Sequence, residues 1–220
     1  MKHGWIIVSL AACLMLASGM GVQASARGSY GSGGAFVGCL AMDLGALNTS
    51  LQTAGFAPLD DYMLVMGGGG AGGTLSWNVG GWGGGGTIKS TTPTQEARLE
   101  TALGGFSIQR TAPLGPVMLS GGLLIGGGGA ELVLMHRANP TFDEAIAGRY
   151  ETRFENSFLV VAPTAGMKIR MNDFIFLNLE GCYLATLGEW KFQGQTIAGL
   201  PRVGGSMVRV GLEFGGASTR

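Results

Sequence analysis

Few residues of this chain combine a chemically useful side chain with a recognisable spacing. Glycine runs come first, because a glycine-rich loop can cradle phosphate. Gly68-Gly69-Gly70-Ala71-Gly72-Gly73 meets the spacing of a dinucleotide fingerprint, as any glycine run would. The next residues, Thr74-Leu75-Ser76-Trp77, read as a strand, whereas the fingerprint requires a helix there. Gly83–Ser90 ends in Ile88-Lys89-Ser90, where a P-loop needs Gly-Lys-Ser. Glycines in strands instead permit bends and close approach, or leave room for a bulky neighbour such as Trp82. His136, beside Arg137, is the one histidine beyond the N-terminal segment. A lone imidazole does not complete a metal site with scattered carboxylates, and no Ser or Cys stands next to it in sequence. Asp60-Asp61 and Asp143-Glu144 read as solvated turns or helix caps. No catalytic residue, cofactor or metal ligand is assigned.

Composition narrows the classes further. There are 14 Lys+Arg against 14 Asp+Glu, so the net charge is zero and no basic face is available to neutralise nucleic-acid phosphates. Hydrophobic residues at 46% exclude a charged disordered chain. Glycine supplies 42 of 220 residues, but in clusters and with only 7 Pro, which excludes collagen.

The N-terminus has three parts. Met1-Lys2-His3 is short and basic, Trp5–Ala17 is apolar, and Gln23-Ala24-Ser25-Ala26 offers small residues for cleavage. This is a secretory signal peptide over residues 1–26, which leaves 27–220 as one domain. Leu10-Ala11-Ala12-Cys13 also matches a lipoprotein box, but the apolar run continues past it. Cys39 and Cys182 remain after cleavage; they either pair in an oxidising compartment or stay as small buried side chains.

Period two dominates the rest. Ile175, Leu177, Leu179, Tyr183, Ala185 and Leu187 share one face of 174–187, with Asn178, Glu180 and Cys182 opposite. Leu159, Val161, Ala165, Met167 and Ile169 oppose Thr164, Gly166, Lys168 and Arg170 over 158–171. Val208, Val210, Leu212 and Phe214 oppose Arg209 and Glu213. In 117–134 the apolar set switches phase after Gly126–Gly129, which predicts a bulge there. About eight strands result, with weaker ones near 36–42, 62–70, 74–84 and 99–110. A shared apolar face over 158–171 and 174–187 predicts a three-residue turn that pairs Arg170 with Phe174.

The connections alternate. Long loops follow strands 1, 3 (Thr87–Ala97), 5 and 7. Short turns follow strands 2 (near Ala71-Gly72-Gly73), 4 (Ala112–Pro116) and 6 (Met171-Asn172-Asp173). In an up-and-down sheet all long loops then share one end. Two loop helices are expected. Asp43 caps one that carries Leu44, Leu47 and Leu51, with Gly55 as its stop. Thr141-Phe142-Asp143-Glu144 is a capping box before a second.

With this signal peptide, this loop alternation and the last strand, Ser206-Met207-Val208-Arg209-Val210-Gly211-Leu212-Glu213-Phe214, the chain resembles the small eight-stranded outer-membrane β-barrel proteins of diderm bacteria. Such proteins typically end in an alternating strand with a terminal aromatic; here Phe214 is followed by Gly-Gly-Ala-Ser-Thr-Arg. The resemblance implies an all-β, antiparallel up-and-down barrel of about eight strands with short loop helices. Its apolar alternates would face outer-membrane lipid, and Trp77, Trp82, Tyr183, Trp190 and Phe192 would contribute to interfacial girdles. Lys168, Arg170, Glu180, Arg209 and Glu213 would face inward and form a network of ion pairs. A structural, surface-interaction or narrow-channel role in the cell outer membrane, without enzymatic activity, follows, with a surface ligand held by the long loops. The alternative is a secreted or periplasmic soluble β-rich binding domain. A third class, a lipid-modifying barrel enzyme, needs a fold partner for His136.

Overall fold

In the computed structural model, residues 28–136, 151–197 and 199–219 are described. Eight long antiparallel strands close into a ring: β1 (Gly28–Met42), β2 (Tyr62–Thr74), β3 (Trp77–Thr91), β4 (Gln95–Leu114), β5 (Val117–His136), β6 (Glu151–Arg170), β7 (Ile175–Phe192) and β9 (Gly205–Thr219). Neighbours in sequence pair, and β9 bridges β7 and β1. A three-residue strand, β8 (Gln195–Ile197), only extends β7 past the ring. One helix, α1 (Gly45–Thr53), lies in the first long loop. Closure leaves the ring itself without an edge, so each of its eight long strands finds backbone partners on both sides.

The register fixes the barrel's geometry. Partners followed around the ring run from Tyr30 to Gly73, Asn78, Gln109, Gly122, Thr164, Cys182 and Met207, and return to β1 at Leu40. The circuit has advanced ten residues along β1. Eight strands with that stagger tilt about 40° from the axis. The same register sets the faces. Even-numbered side chains point inward on β1, β3, β5, β6 and β7, and odd-numbered ones on β2, β4 and β9. Phe36, Trp82, Leu124, Val160 and Phe176 are buried accordingly, as are Val65, Leu99 and Met207.

Several sequence expectations are corrected. The β2–β3 turn lies at Leu75-Ser76, and Ala71, Gly72 and Gly73 stay in β2. Thr87–Ala97 is not a long loop: β3 runs to Thr91 and β4 starts at Gln95. β5 keeps one register against β4 from Val117 to His136, so the glycines at 126–129 make no bulge. The apolar phase switches there because Leu123 and Ile125 lie outside the barrel, whereas Leu132 belongs to its core. Arg170 pairs with Phe176, not Phe174. The face parity is kept, but the turn is longer. Asn172 Oδ1 accepts from the Phe174 and Ile175 amides at 2.8 and 2.7 Å and shapes it. Asp43 is not the N-cap of α1; Leu44 takes that place with no side-chain cap. Residues 1–26 and the second expected helix lie outside the described residues.

The outer wall carries an apolar belt. On β6 it runs from Leu159 to Ile169, about 25 Å along the axis, the height of a bilayer's hydrocarbon layer at a barrel. Leu179, Leu187, Val208, Val210 and Leu212 continue it at 41–62% exposure, far above any core side chain. On β1–β5 the belt includes Leu64, Met66, Val79, Phe106, Ile108 and Ile125, and one row across it is smooth. The outward register row Ala35, Gly68, Gly83, Gly104, Gly127 crosses five strands without a side chain larger than methyl.

Candidate functional site: a sealed barrel interior

Three layers fill the ring. At the turn end, Tyr30, Leu75, Met118 and Phe176 form a small apolar floor, with the Tyr30 and Phe176 rings edge to face at 5.8 Å. Leu75 reaches it from the tight β2–β3 turn. At the loop end, α1 folds inward as a plug. Its stripe, Leu47 and Leu51, joins Leu44, Phe56 and Leu59 over Leu40, Met63, Leu99, Leu132, Leu184 and Met207. Asn48 fastens the plug: its side chain donates to the Leu59 carbonyl at 2.9 Å and accepts from the Leu59 amide at 2.8 Å. Ser90 donates to the Ala57 carbonyl at 2.7 Å, which ties the segment to β3.

Between floor and plug lies the polar layer. Lys168 donates to Glu213 Oε2 at 2.8 Å and to the Tyr30 hydroxyl at 3.0 Å. Tyr30 and Ser32 donate to the same carboxylate oxygen at 3.0 and 2.5 Å, and Asn178 donates to Oε1 at 2.7 Å. The second ion pair joins Arg209 to Glu180, with Nε and Nη2 on Oε1 at 3.1 and 2.8 Å. Gln109 donates to Glu180 Oε2 at 2.9 Å. The Arg209 guanidinium also lies 4.6 Å from the Trp82 ring centroid and 4.7 Å from that of Phe36. An uncompensated charge here would be expensive, and every lone pair enlisted by a donor lowers that cost. Inward glycines make the room: a Cβ on Gly67 would stand 2.6 Å from Phe36 Cζ, and one on Gly69 would stand 2.6 Å from Trp82 Cβ.

Four of the five charged residues singled out in sequence, Lys168, Glu180, Arg209 and Glu213, therefore meet inside the barrel. Arg170 does not, although its parity matches. It sits one step past the floor, is 43% exposed, and pairs with Asp173 of the β6–β7 turn at 2.6 Å. Asn178, which the alternation puts on the same face as Glu180, completes the layer with Tyr30, Ser32 and Gln109, and these last three were missed. Tyr30 and Ser32 lie on a strand whose alternation is blurred by glycine, and Gln109 falls in a segment where only Phe106 and Ile108 gave a face.

Two more placements need correction. Trp82 and Trp190 are no girdle residues; both point inward, and the Trp190 indole donates to the Pro201 carbonyl at 2.8 Å. The outward aromatics include Tyr62 near the loop end, Phe106 and Tyr183 on β4 and β7, and Trp77, Phe174 and Phe214 near the turn end, with Phe174 and Phe214 rings 5.9 Å apart. Cys39 is exposed on the outer wall and Cys182 is buried inside it, so both thiols are free. His136 ends β5 beside Gln95 and the Phe56 ring, outside the polar layer.

Above the belt the outer wall turns charged. Thr87, Glu100, Glu131, Glu155 and Lys191 form one outward register row. Arg153 bridges Glu131 and Glu151, each at 2.9 Å, and Arg98 pairs with Glu100. The hydrogen bond that Arg153 donates to Glu151, helped by the charge of Glu131, holds the Arg153 guanidinium pKa above its ordinary value.

No protein-family model matches the chain, and no curated protein matches it. Among solved structures, it is similar to Ail, the attachment invasion locus protein of Yersinia pestis. That likeness has 13% identity over 86% of this chain and 97% of that one, with a TM-score of 0.46. It is also similar to the outer membrane protein OprG from Pseudomonas aeruginosa, with 10% identity over 88% and 96% of the two chains and a TM-score of 0.46.

Proposed function

We propose that this chain is a non-enzymatic outer-membrane β-barrel whose interior is closed and whose loop end serves surface interactions. The observation that carries the reading is the filled interior. An apolar plug, an ion-paired middle and an apolar floor occupy a ring of eight strands, which favours a surface role over a narrow channel. The apolar belt, roughly one hydrocarbon thickness tall, supports outer-membrane lipid as the surrounding partner. The basic, apolar and small-residue segments of 1–26 support export as a cleaved precursor.

Fractionation of cells, followed by gel migration with and without boiling, tests the location. A detergent-extracted outer-membrane band that shifts on heating is expected; a soluble product without a shift overturns the barrel reading in favour of a soluble binding domain. Reconstitution in a planar bilayer then tests the closed interior. A silent bilayer is expected, and stepwise ion conductance at low voltage restores the channel role.

A further inference from the structure

We propose that the polar layer contains a hydration site for at least one buried water molecule, held between the indole of Trp82 and the amide of Asn178. A cavity of about 30 Å³ lies there, lined by Trp82 and Asn178 together with Lys168, Glu180, Arg209 and Glu213. That is space open to the centre of a water molecule, so the cavity admits at least one water.

The lining supplies complementary groups. Trp82 is 5% and Asn178 6% exposed, and among the described residues neither Trp82 Nε1 nor Asn178 Oδ1 has a hydrogen-bond partner. The first is an obligate donor and the second an acceptor. Asn178 has committed its Nδ2 to Glu213 Oε1, so its oxygen faces away from that carboxylate. Water in this cavity has a donor to accept from at the indole and an acceptor to donate to at the amide oxygen. The alternatives are weaker. A dry void suits a lining without polar groups, and this mixed lining carries two ion pairs and two buried polar atoms that lack a partner. The two cations and two carboxylates balance, so no net charge selects an ion over neutral water. Through Asn178 the water belongs to the Lys168–Glu213 pair; through Trp82, whose ring lies against Arg209, it belongs to the Arg209–Glu180 pair. The site thus links the two pairs into one network.

The test is a water-to-protein Overhauser measurement on isotope-labelled protein refolded in detergent micelles. Trp77→Phe and Trp190→Phe proteins assign the Trp82 indole proton. A cross-peak from that proton to water, with the sign of a long-lived contact, is expected in the unaltered chain. Absence of the peak in a protein that still shifts on heating overturns the proposal. Asn178→Leu gives the second measurement: loss of the peak with the heat shift kept is expected, and an undiminished peak would show that the water does not bridge to Asn178. If Asn178→Leu does not fold, Asn178→Ser replaces it, with a weakened peak expected. The result is separate from conductance, because a closed barrel can be dry or wet here.

Discussion

Glu180 and Arg209 are direct register partners across β7 and β9, and the guanidinium sets two hydrogen bonds on a single carboxylate oxygen. Both side chains are less than 10% exposed. Removing one partner leaves the other charge in the barrel interior with nothing to balance it. Glu180→Leu should lower unfolding stability by about 3–5 kcal/mol. Glu180→Leu combined with Arg209→Met should lose clearly less, because the pair's desolvation cost disappears with the pair. Urea titration of the vesicle-embedded protein, followed by tryptophan emission, measures both. A double variant as unstable as the sum of the singles would show that the ion pair is not the coupled unit.

The outer wall makes a separate prediction about depth. Leu179 lies near the middle of the apolar belt on β7, whereas Ser157 lies on β6 beside the charged row. Leu179→Lys should cost roughly 2–4 kcal/mol of insertion free energy, and Ser157→Lys roughly 0–1. Yield of heat-shifting protein in the outer-membrane fraction reads the difference. Equal yields for the two variants would mean that the belt does not face lipid.

Thiol chemistry follows from the wall's two faces. Cys39 faces out at the level of Val37, and Cys182 faces in beneath the plug. A membrane-permeant maleimide should label Cys39 in the folded protein and reach Cys182 only after denaturation. Nonreducing and reducing gels should show the same monomer band. A reduction-sensitive shift of the monomer would require the two strands to sit differently.

The plug has its own fastening, and it can be released without touching the barrel wall. Asn48→Ala removes both hydrogen bonds to Leu59 at a half-buried site, worth about 1–3 kcal/mol together. The first loop should become sensitive to protease at a concentration that leaves the unaltered protein intact, while the heat shift of the barrel stays. Loss of the heat shift would make the plug part of the cooperative core instead.

Much of this arrangement can be read from the residues themselves. Over 164–170, 177–182 and 208–214 outward apolar residues alternate with small, polar or charged ones, so face, register parity and four of the inward charges follow from period two. Arg170 fails because parity gives a face but not a height, and Arg170 is the last residue of β6, at the exposed rim of the barrel. Trp82 fails for a different reason. Its neighbours Gly80, Gly81, Gly83 and Gly84 carry no side chains, so nothing in the local sequence says which face is the core. The closure of the ring, which brings Phe36, Arg209 and Trp82 together from β1, β9 and β3, supplies that information, and it is nonlocal. The plug is half legible: Leu44, Leu47 and Leu51 mark an apolar stripe, but a stripe alone does not distinguish a helix outside the barrel from one folded into it.

Glycines on the two faces of the wall should behave oppositely. Gly67 points inward, and its added Cβ would press on Phe36 Cζ at 2.6 Å as well as on the β3 backbone. Phe36 is already held edge to face by Trp82, 5.6 Å between centroids, and by the Arg209 guanidinium, so it has little room to retreat. Gly67→Ala should therefore cost about 1–3 kcal/mol through overpacking. Gly83 is its outward counterpart across the β2–β3 pair. The nearest atom to its added Cβ is the Leu103 carbonyl oxygen at 3.4 Å, an ordinary contact. Gly83→Ala should be neutral or stabilise by up to about 1 kcal/mol, because alanine gives up less backbone entropy on folding. Parallel urea titrations of the two variants decide it. If Gly83→Ala is the more damaging of the two, the inward and outward faces of β3 are interchanged and the packing around Trp82 is wrong.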